Sequence, residues 1–276
     1  MAITAQDVNK LRQMTGAGMM DCKKALTEAN GDFDAAIDLL RKKGQKVSAS
    51  RADRETTEGS VFIKTSEDNT EAVLITFTCE TDFVAKNDEF VNLGNAIVEN
   101  AFETKVDTVE ALMSNKLGDL TVAEKITELV GKIGEKLEVS QLVKMSGEAV
   151  VPYVHAGNKL GVLVELKGVN GTDVTEAGKD VGMQIAAMNP VSVSEDDVDE
   201  ATKQKELEIG REQAIAEGKP ENIVDKIAQG KLQKFYKDNT LLNQQFVKDN
   251  SLTVAKYLNT VTNGLTVASF KRISIG

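Results

Sequence analysis

The spacing of apolar residues changes twice along this chain of 276 residues, and these changes constrain its fold more than any other feature. Up to residue 44, apolar side chains recur at three- and four-residue intervals, which is typical of amphipathic helices. From Gly59 they follow the two-residue period of strands, and beyond Pro190 the helical interval returns in a more polar segment. Strand runs separated from helix runs predict an α+β fold with antiparallel sheets.

Large rings are scarce, since aromatic residues make up 4% of the chain and Trp is absent. A single core in a chain of this length normally uses more large side chains, so several small cores are expected. We therefore divide the chain into modules before asking what each one does.

Residues 1–44 predict three short helices. Thr4 and Asp7 have the spacing of a capping box, and Gly16 is a typical helix end. A second helix is expected to stop at Asn30-Gly31, and Asp32 is expected to cap the third. Three such helices bury only a small core, so this module should depend on its neighbours or on a partner.

Residues 45–56 form a predicted linker, which is small, polar and basic. Residues 1–54 carry a net charge of +3, whereas the rest of the chain carries −13. The basic side chains at the end of the first module are Arg41, Lys42, Lys43, Lys46, Arg51 and Arg54. They are consistent with a solvated linker or helix end, or with a basic strip that meets an acidic partner or RNA.

The sheet-forming part predicts two similar units. Residues 57–140 contain a hairpin followed by helices, and residues 141–189 contain a second hairpin and helix, completed by residues 240–276. The run 72–75 aligns with the run 161–164, which indicates a duplicated ββα unit. Two unrelated hairpins remain the alternative.

Residues 190–239 predict a helical hairpin inserted into the second unit. The acidic run that begins at Ser194 is typical of a helix start, and Gly218-Lys219-Pro220 separates two helices. The apolar seam is thin, so the pair should project from the body. It is either a stand-alone antiparallel coiled coil or a contact for a second copy or a partner.

Several functional classes are disfavoured. No apolar run approaches the length of a membrane span, and the first residues lack the apolar core of a secretion signal. Two distant cysteines are typical of a reducing compartment, so we expect a cytoplasmic protein. The net charge of −10 disfavours a nucleic acid as the main direct ligand.

Catalytic patterns are also missing, so no enzyme activity, cofactor or metal is predicted. The chain has no phosphate-binding glycine loop of the P-loop type, and the Gly16-Ala17-Gly18 run follows a helix and lacks a third glycine. His155 is the single histidine and lies in a predicted hairpin turn. A turn or interface role suits it better than that of a catalytic base.

The segment Thr81-Asp82-Phe83-Val84 is unusual because it places a carboxylate beside a large ring directly after a strand. In one interpretation, Asp82 or Asn87 caps the next helix while Phe83 packs on the sheet edge. In the other, Phe83 protrudes into a pocket of a partner and Asp82 presents its charge.

Four stretches of this sequence resemble those of one protein family. Residues 11–26 (LRQMTGAGMMDCKKAL) and 79–87 (CETDFVAKN) resemble the two signatures of the translation elongation factor Ts family. Residues 155–164 and 241–247 are also similar, so the resemblance covers essentially the whole chain in order. Some members continue into a C-terminal helix, and contacts assigned to that helix are not expected in a chain that stops at Gly276.

The resemblance implies a guanine-nucleotide exchange factor for elongation factor Tu. The implied partner is the GDP-bound GTPase, and transiently its GTP- and aminoacyl-tRNA-bound forms, in a complex that includes the options of a homodimer or a 2:2 assembly. It also implies a ubiquitin-associated-like fold for residues 1–44. The implied contact residues that dislodge the partner's Mg²⁺ are Thr81, Asp82, Phe83 and Val84. Further implied partner contacts are Met19, Met20, His155, Ala156 and Gly157. A protein-binding adaptor without exchange activity is the alternative.

Overall fold

The computed structural model describes residues 3–276 and contains three helices at its N-terminal end. These are α1 (Ala5–Thr15), α2 (Met19–Glu28) and α3 (Phe33–Ser50). The capping box at Thr4 and Asp7 and the cap at Asp32 both form as predicted. The three helices enclose a small core that includes Leu11 and Leu26.

Helix α3 is longer than predicted, so the linker prediction for residues 45–56 is wrong for its first six residues. The sequence suggested a helix end at Gly44, but this glycine instead lies where α3 crosses another helix. A Cβ placed on Gly44 would lie 3.1 Å from the Thr127 carbonyl oxygen. Gly44 therefore serves close packing between helices and does not end α3.

The first half of the body is a three-stranded sheet with helices on one face. Its elements are β1 (Glu58–Thr65), β2 (Glu71–Cys79), α4 (Asp82–Ala85), α5 (Asp88–Thr104), α6 (Val109–Ser114), β3 (Lys116–Leu117), β4 (Leu120–Thr121), α7 (Val122–Ile133) and β5 (Leu137–Ser146). The strand order is β1-β2-β5, all antiparallel. The hairpin of β1 and β2 is therefore confirmed.

The predicted boundary at residue 140 is wrong, because it cuts through β5, which belongs wholly to the first sheet. The register between β2 and β5 shifts near Ser140, where one extra residue is accommodated. The Ser140 hydroxyl lies 2.7 Å from that of Thr76. This bulge interrupts the two-residue period of β5, a strand that the sequence prediction did not include.

The second half repeats the arrangement around another sheet and contains the inserted helices. Its elements are β6 (Ala149–Val154), β7 (Leu160–Lys167), α8 (Thr175–Met188), α9 (Glu200–Ala216), α10 (Glu221–Asn239), a 3-10 turn (Leu241–Asn243), β8 (Gln245–Phe246), β9 (Asp249–Thr253), α11 (Val254–Val261) and β10 (Thr266–Ser274). The strand order is β10-β7-β6. In both halves the second strand of the hairpin is central and helices follow it, which is the order that the duplication hypothesis requires.

The two sheets pack face to face, and helices cover their outer faces. Leu74 of β2 and Leu163 of β7 share the cluster between the sheets. Ile75 and Phe77 face α5 and α7, whereas Val162 faces α8. The result is a helix–sheet–sheet–helix arrangement with several small cores. The predicted α+β class with antiparallel sheets is confirmed.

The inserted hairpin begins later than predicted. Helix α9 starts at Glu200, with Asp199 as its cap, instead of near Ser194. The Asp197 carboxylate accepts bonds from the Ser194 backbone N–H and hydroxyl at 3.0 and 2.6 Å, which closes a local turn. The acidic run therefore forms a turn before the helix. Among residues 3–276, no helix combines the length and hydropathy that crossing a bilayer requires.

Candidate functional site

The Thr81–Val84 segment contains the start of a single helical turn, α4 (Asp82–Ala85), which Thr81 precedes shortly after β2. Val84 is buried in the core of the first half. Phe83, its neighbour, is 81% exposed, the highest value among the exposed large hydrophobic side chains of the described residues. The turn therefore holds Val84 inside and presents the ring of Phe83 to the outside.

The turn is held at both ends. At its start, the Thr81 backbone N–H and hydroxyl donate to the two carboxylate oxygens of Glu135, at 3.0 and 2.7 Å. Beyond its end, the Asn87 side chain accepts from the Glu89 backbone N–H and caps α5. The exposed ring of Phe83 thus projects from a backbone that is fixed on either side.

The interpretation in which Phe83 packs on the sheet edge is therefore wrong in part. Asn87 does cap the next helix, as one interpretation predicted. Phe83, however, does not pack on the sheet edge, because most of its surface faces solvent. The alternation of residue types after β2 cannot reveal this, since a helical turn replaces the strand geometry at Asp82.

Asp82 lies beside Phe83 and is exposed. Its carboxylate accepts a bond from Lys86 Nζ at 2.7 Å, one turn further along. This bond lowers the pKa of Asp82 and raises that of Lys86. Asp82 is therefore ionised at neutral pH, and Lys86 offsets much of its charge.

The turn containing His155, Ala156 and Gly157 joins β6 to β7, as predicted, and is exposed. Nδ1 of His155 lies 3.0 Å from the Tyr153 hydroxyl. The same turn reaches the first sheet, because the Val61 backbone N–H donates to the Asn158 carbonyl at 2.7 Å.

This contact brings the His155 turn to the end of the molecule that carries α4. Lys159 Nζ pairs with Glu58 at 2.6 Å, and Glu58 lies opposite Cys79 at the end of β2. The positive charge of Lys159 also contributes to the lowered pKa of Asp82, after the larger effect of Lys86. Two segments separated by more than 70 residues in sequence therefore meet at one sheet end.

Met19 and Met20 lie at the start of α2 and are exposed to 52% and 74%. They belong to the N-terminal module. The module is connected to the body near Gly16, against which the Lys132 side chain packs. Lys132 in turn pairs with Glu89 at 3.1 Å.

Most of the basic strip is used within the chain. Arg41 pairs with Glu128 of α7, and Lys43 pairs with Asp21 of α2. Arg51 and Arg54 both pair with the carboxylate of Glu80, at 2.8 and 3.4 Å. These contacts favour a structural role for the strip over a docking site for an acidic partner or RNA.

Glu80 is consequently held as an anion. Although its burial opposes ionisation, the backbone N–H of Lys136 and the guanidinium of Arg51 together lower its pKa. Glu80 thus joins the end of α3 to the start of the α4 turn.

The described residues contain no assembled nucleophile. The Cys79 thiol is fully buried, and this burial, with the nearby charge of Glu135, raises its pKa to about 12. Within residues 3–276, no group of histidine, cysteine and acidic side chains has the geometry of a metal site.

Sequence reasoning missed three residues of this site: Glu135, Glu80 and Lys86. Glu135 is 54 residues away from Thr81 along the chain, so no local motif indicates the contact. Lys86 carried a local signal, because a lysine four residues after an aspartate is a typical helical ion pair.

A fixed turn that exposes a large ring is typical of surfaces that contact another protein. Comparison with known sequences identifies the protein family to which this chain belongs. The sequence model of a family described as Elongation factor TS matches residues 80–276. The chain belongs to the elongation factor Ts family and is thus an elongation factor of protein synthesis.

Full-length relatives carry the same name. A protein named Elongation factor Ts from Amoebophilus asiaticus is 56% identical over 276 residues, which is all of both chains. One from Cytophaga hutchinsonii is 57% identical over 274 residues, 99% of each chain. Another, from Clostridium perfringens, is 46% identical and covers 99% of this chain and 93% of its own.

Proposed function

We propose that this chain is a guanine-nucleotide exchange factor that binds GDP-bound elongation factor Tu and accelerates GDP release. The proposal rests on membership of the family and on one observation, the exposed ring of Phe83 on a turn fixed at both ends. Translation elongation takes place in the cytoplasm, so the proposed function implies a cytoplasmic protein.

In this mechanism Phe83 enters the GTPase and moves elements that hold the nucleotide. Mg²⁺ bridges the phosphates and neutralises their charge, so disturbing the partner's Mg²⁺ weakens GDP binding. Neither Phe83 nor Asp82 makes or breaks a covalent bond. A thousandfold faster release requires the barrier to fall by about 4 kcal/mol.

The coupling is reciprocal. If the factor weakens GDP binding by a given ratio, GDP weakens factor binding by the same ratio. The nucleotide-free partner should therefore hold this chain tightly, and GTP or GDP should release it. Met19, Met20, His155, Ala156 and Gly157 are proposed as further contacts that orient the chain on the partner.

The test is release of fluorescent GDP from purified elongation factor Tu, with and without this chain. Phe83→Ala should slow stimulated release by about tenfold or more, because burying a phenyl ring contributes roughly 1.5–3 kcal/mol. The variant should unfold at the same temperature as the wild-type chain, since the ring is 81% exposed.

Ile215→Ala is the matched control, because Ile215 is also apolar and is 65% exposed on α9. It should leave release unchanged. Equal effects of the two substitutions, or no effect of Phe83→Ala, would contradict the proposed role of the ring. A wild-type chain that binds the partner without changing GDP release would support the adaptor alternative.

A further inference from the structure

The segment before α4 is bonded to the segment before β5, just beyond the last paired residues of β2 and β5. Cys79 and Leu137 form the last pair of that ladder. Next to them, the Glu80 carboxylate accepts from the Lys136 backbone N–H at 2.7 Å. On the other side, the Glu135 carboxylate accepts both donors of Thr81. Residues 80–81 and 135–136 therefore hold each other by reciprocal side chain-to-backbone bonds.

The α4 turn is too short to be stable without such contacts. It contains four residues, and its backbone bonds from Ala85 to Thr81 and from Lys86 to Phe83 are both 3.3 Å long. A threonine before a helix normally caps it, but the Thr81 hydroxyl makes no cap bond and donates to Glu135 instead. One isolated turn pays the full cost of helix nucleation, so its conformation depends on its anchors.

We propose that Glu135 is a positioning residue, which fixes the direction in which α4 presents Phe83. This inference rests on the proposed exchange function. Glu135 does not contact the partner in this proposal and acts only through Thr81. Its two bonds are charge-assisted, which makes them stronger and more directional than neutral ones.

Glu135 lies between α7 and β5, and α7 packs both on the core of the first half and on the N-terminal module. Glu135 follows Gly134, which ends α7 in a left-handed conformation with φ 82°. Helix α7 packs closely on α3, where a Cβ on Gly131 would lie 2.8 Å from the Gly44 Cα. The helix that leads to the anchor of the Phe83 turn is therefore in direct contact with the first module.

The first test measures stimulated GDP release at saturating concentrations of factor. Glu135→Ala should lower the maximal rate by about tenfold, the effect expected from losing charge-assisted hydrogen bonds. Glu135→Gln should recover part of this loss, because its amide oxygen still accepts from the Thr81 N–H. Glu138→Ala is the matched control, since Glu138 pairs with the Lys136 side chain and not with the α4 turn. It should retain the wild-type rate.

The second test reports the order of the turn without any partner. The chain has no Trp, so Phe83→Trp introduces a single indole. Its fluorescence anisotropy should fall when Glu135→Ala is added and should stay the same when Glu138→Ala is added. Thr81→Val, which removes only the hydroxyl bond, should give an intermediate fall and serves if Glu135→Ala does not fold.

The two proposals fail in different ways. If the wild-type chain does not accelerate GDP release, the exchange function is wrong, and the anisotropy series still decides whether Glu135 orders the turn. If wild-type release is normal and Glu135→Ala changes neither rate nor anisotropy, only the positioning role is wrong. A loss of rate with unchanged anisotropy, or equal losses for Glu138→Ala, would also overturn it.

Discussion

At the scale of single residues, the candidate site depends on the directions in which three neighbours point. Val84 points into the core, Phe83 points to solvent, and Asp82 points along the turn to Lys86. The order of residue types in this segment is visible in the sequence. The directions follow from the change to helical geometry at Asp82, which the contact between Thr81 and Glu135 stabilises.

A prediction at this scale concerns charge. Asp82→Asn should slow stimulated GDP release by roughly fivefold at most, less than Phe83→Ala, because an exposed charge is screened and Lys86 already offsets it. Lys86→Met should leave Asp82 unpaired and make release more sensitive to salt. Both variants are compared between low and high ionic strength. A larger loss for Asp82→Asn than for Phe83→Ala would show that charge, and not the ring, dominates.

The pH dependence of this pair has a definite sign. The pKa of Asp82 is lowered in the folded chain, so its bond with Lys86 is fully present above the ordinary aspartate pKa of about 3.9. The bond is lost as the pH falls through the lowered folded value. Titration of the Asp82 carboxyl by NMR should therefore show a midpoint below that of an unfolded aspartate. Lys86→Met should raise this midpoint.

At the scale of elements, α7 connects the first module to the site. It packs on α3 at a pair of glycines, pairs with α5 through Lys132, and leads through Glu135 to the α4 turn. The amphipathic spacing of α7 was predictable, and in the structure Thr121 and Glu124 form its capping box. The helix on which α7 packs was not predictable. A glycine such as Gly44 is expected both where a helix ends and where two helices approach closely.

The corresponding prediction is a substitution at this crossing. Gly131→Ala places a methyl group 2.8 Å from the Gly44 Cα and should destabilise the chain by roughly 1–3 kcal/mol, as overpacking does. Gly230→Ala is the matched control, because Gly230 lies within α10 and a Cβ there meets no atom within 4 Å. The control should be neutral or stabilising by up to about 1 kcal/mol. Urea unfolding measures both; a neutral Gly131→Ala would contradict the close packing.

At the scale of the whole molecule, the inserted hairpin is closed at its base. The Leu241 backbone N–H donates to the Ser192 carbonyl, and the Val191 N–H donates to the Asn239 carbonyl. Helices α9 and α10 pack mainly on each other, with Gly210 against Ala228. The body can therefore close without these helices, which fits the interpretation of the hairpin as an appendage.

This geometry predicts the effect of a deletion. Replacing residues 197–236 with a short glycine linker should leave most stimulated GDP release intact, since the hairpin is far in sequence and in packing from the α4 turn. The GDP-release assay and thermal unfolding of the deleted chain measure this. Loss of release by a folded product would show that the hairpin contacts the partner.

Much of the local structure could be predicted from the sequence: the caps of α1 and α3, both hairpins, the two inserted helices and the unusual residues of the Phe83 segment. These follow from the spacing of apolar residues and from side chains that satisfy nearby backbone groups. Which elements pack together is visible only in the folded chain. The β5 bulge, the glycine pair of α3 and α7, and the bonds from Glu135 to Thr81 join residues far apart in the chain. Such contacts depend on shape and distance after folding, and no local pattern encodes them.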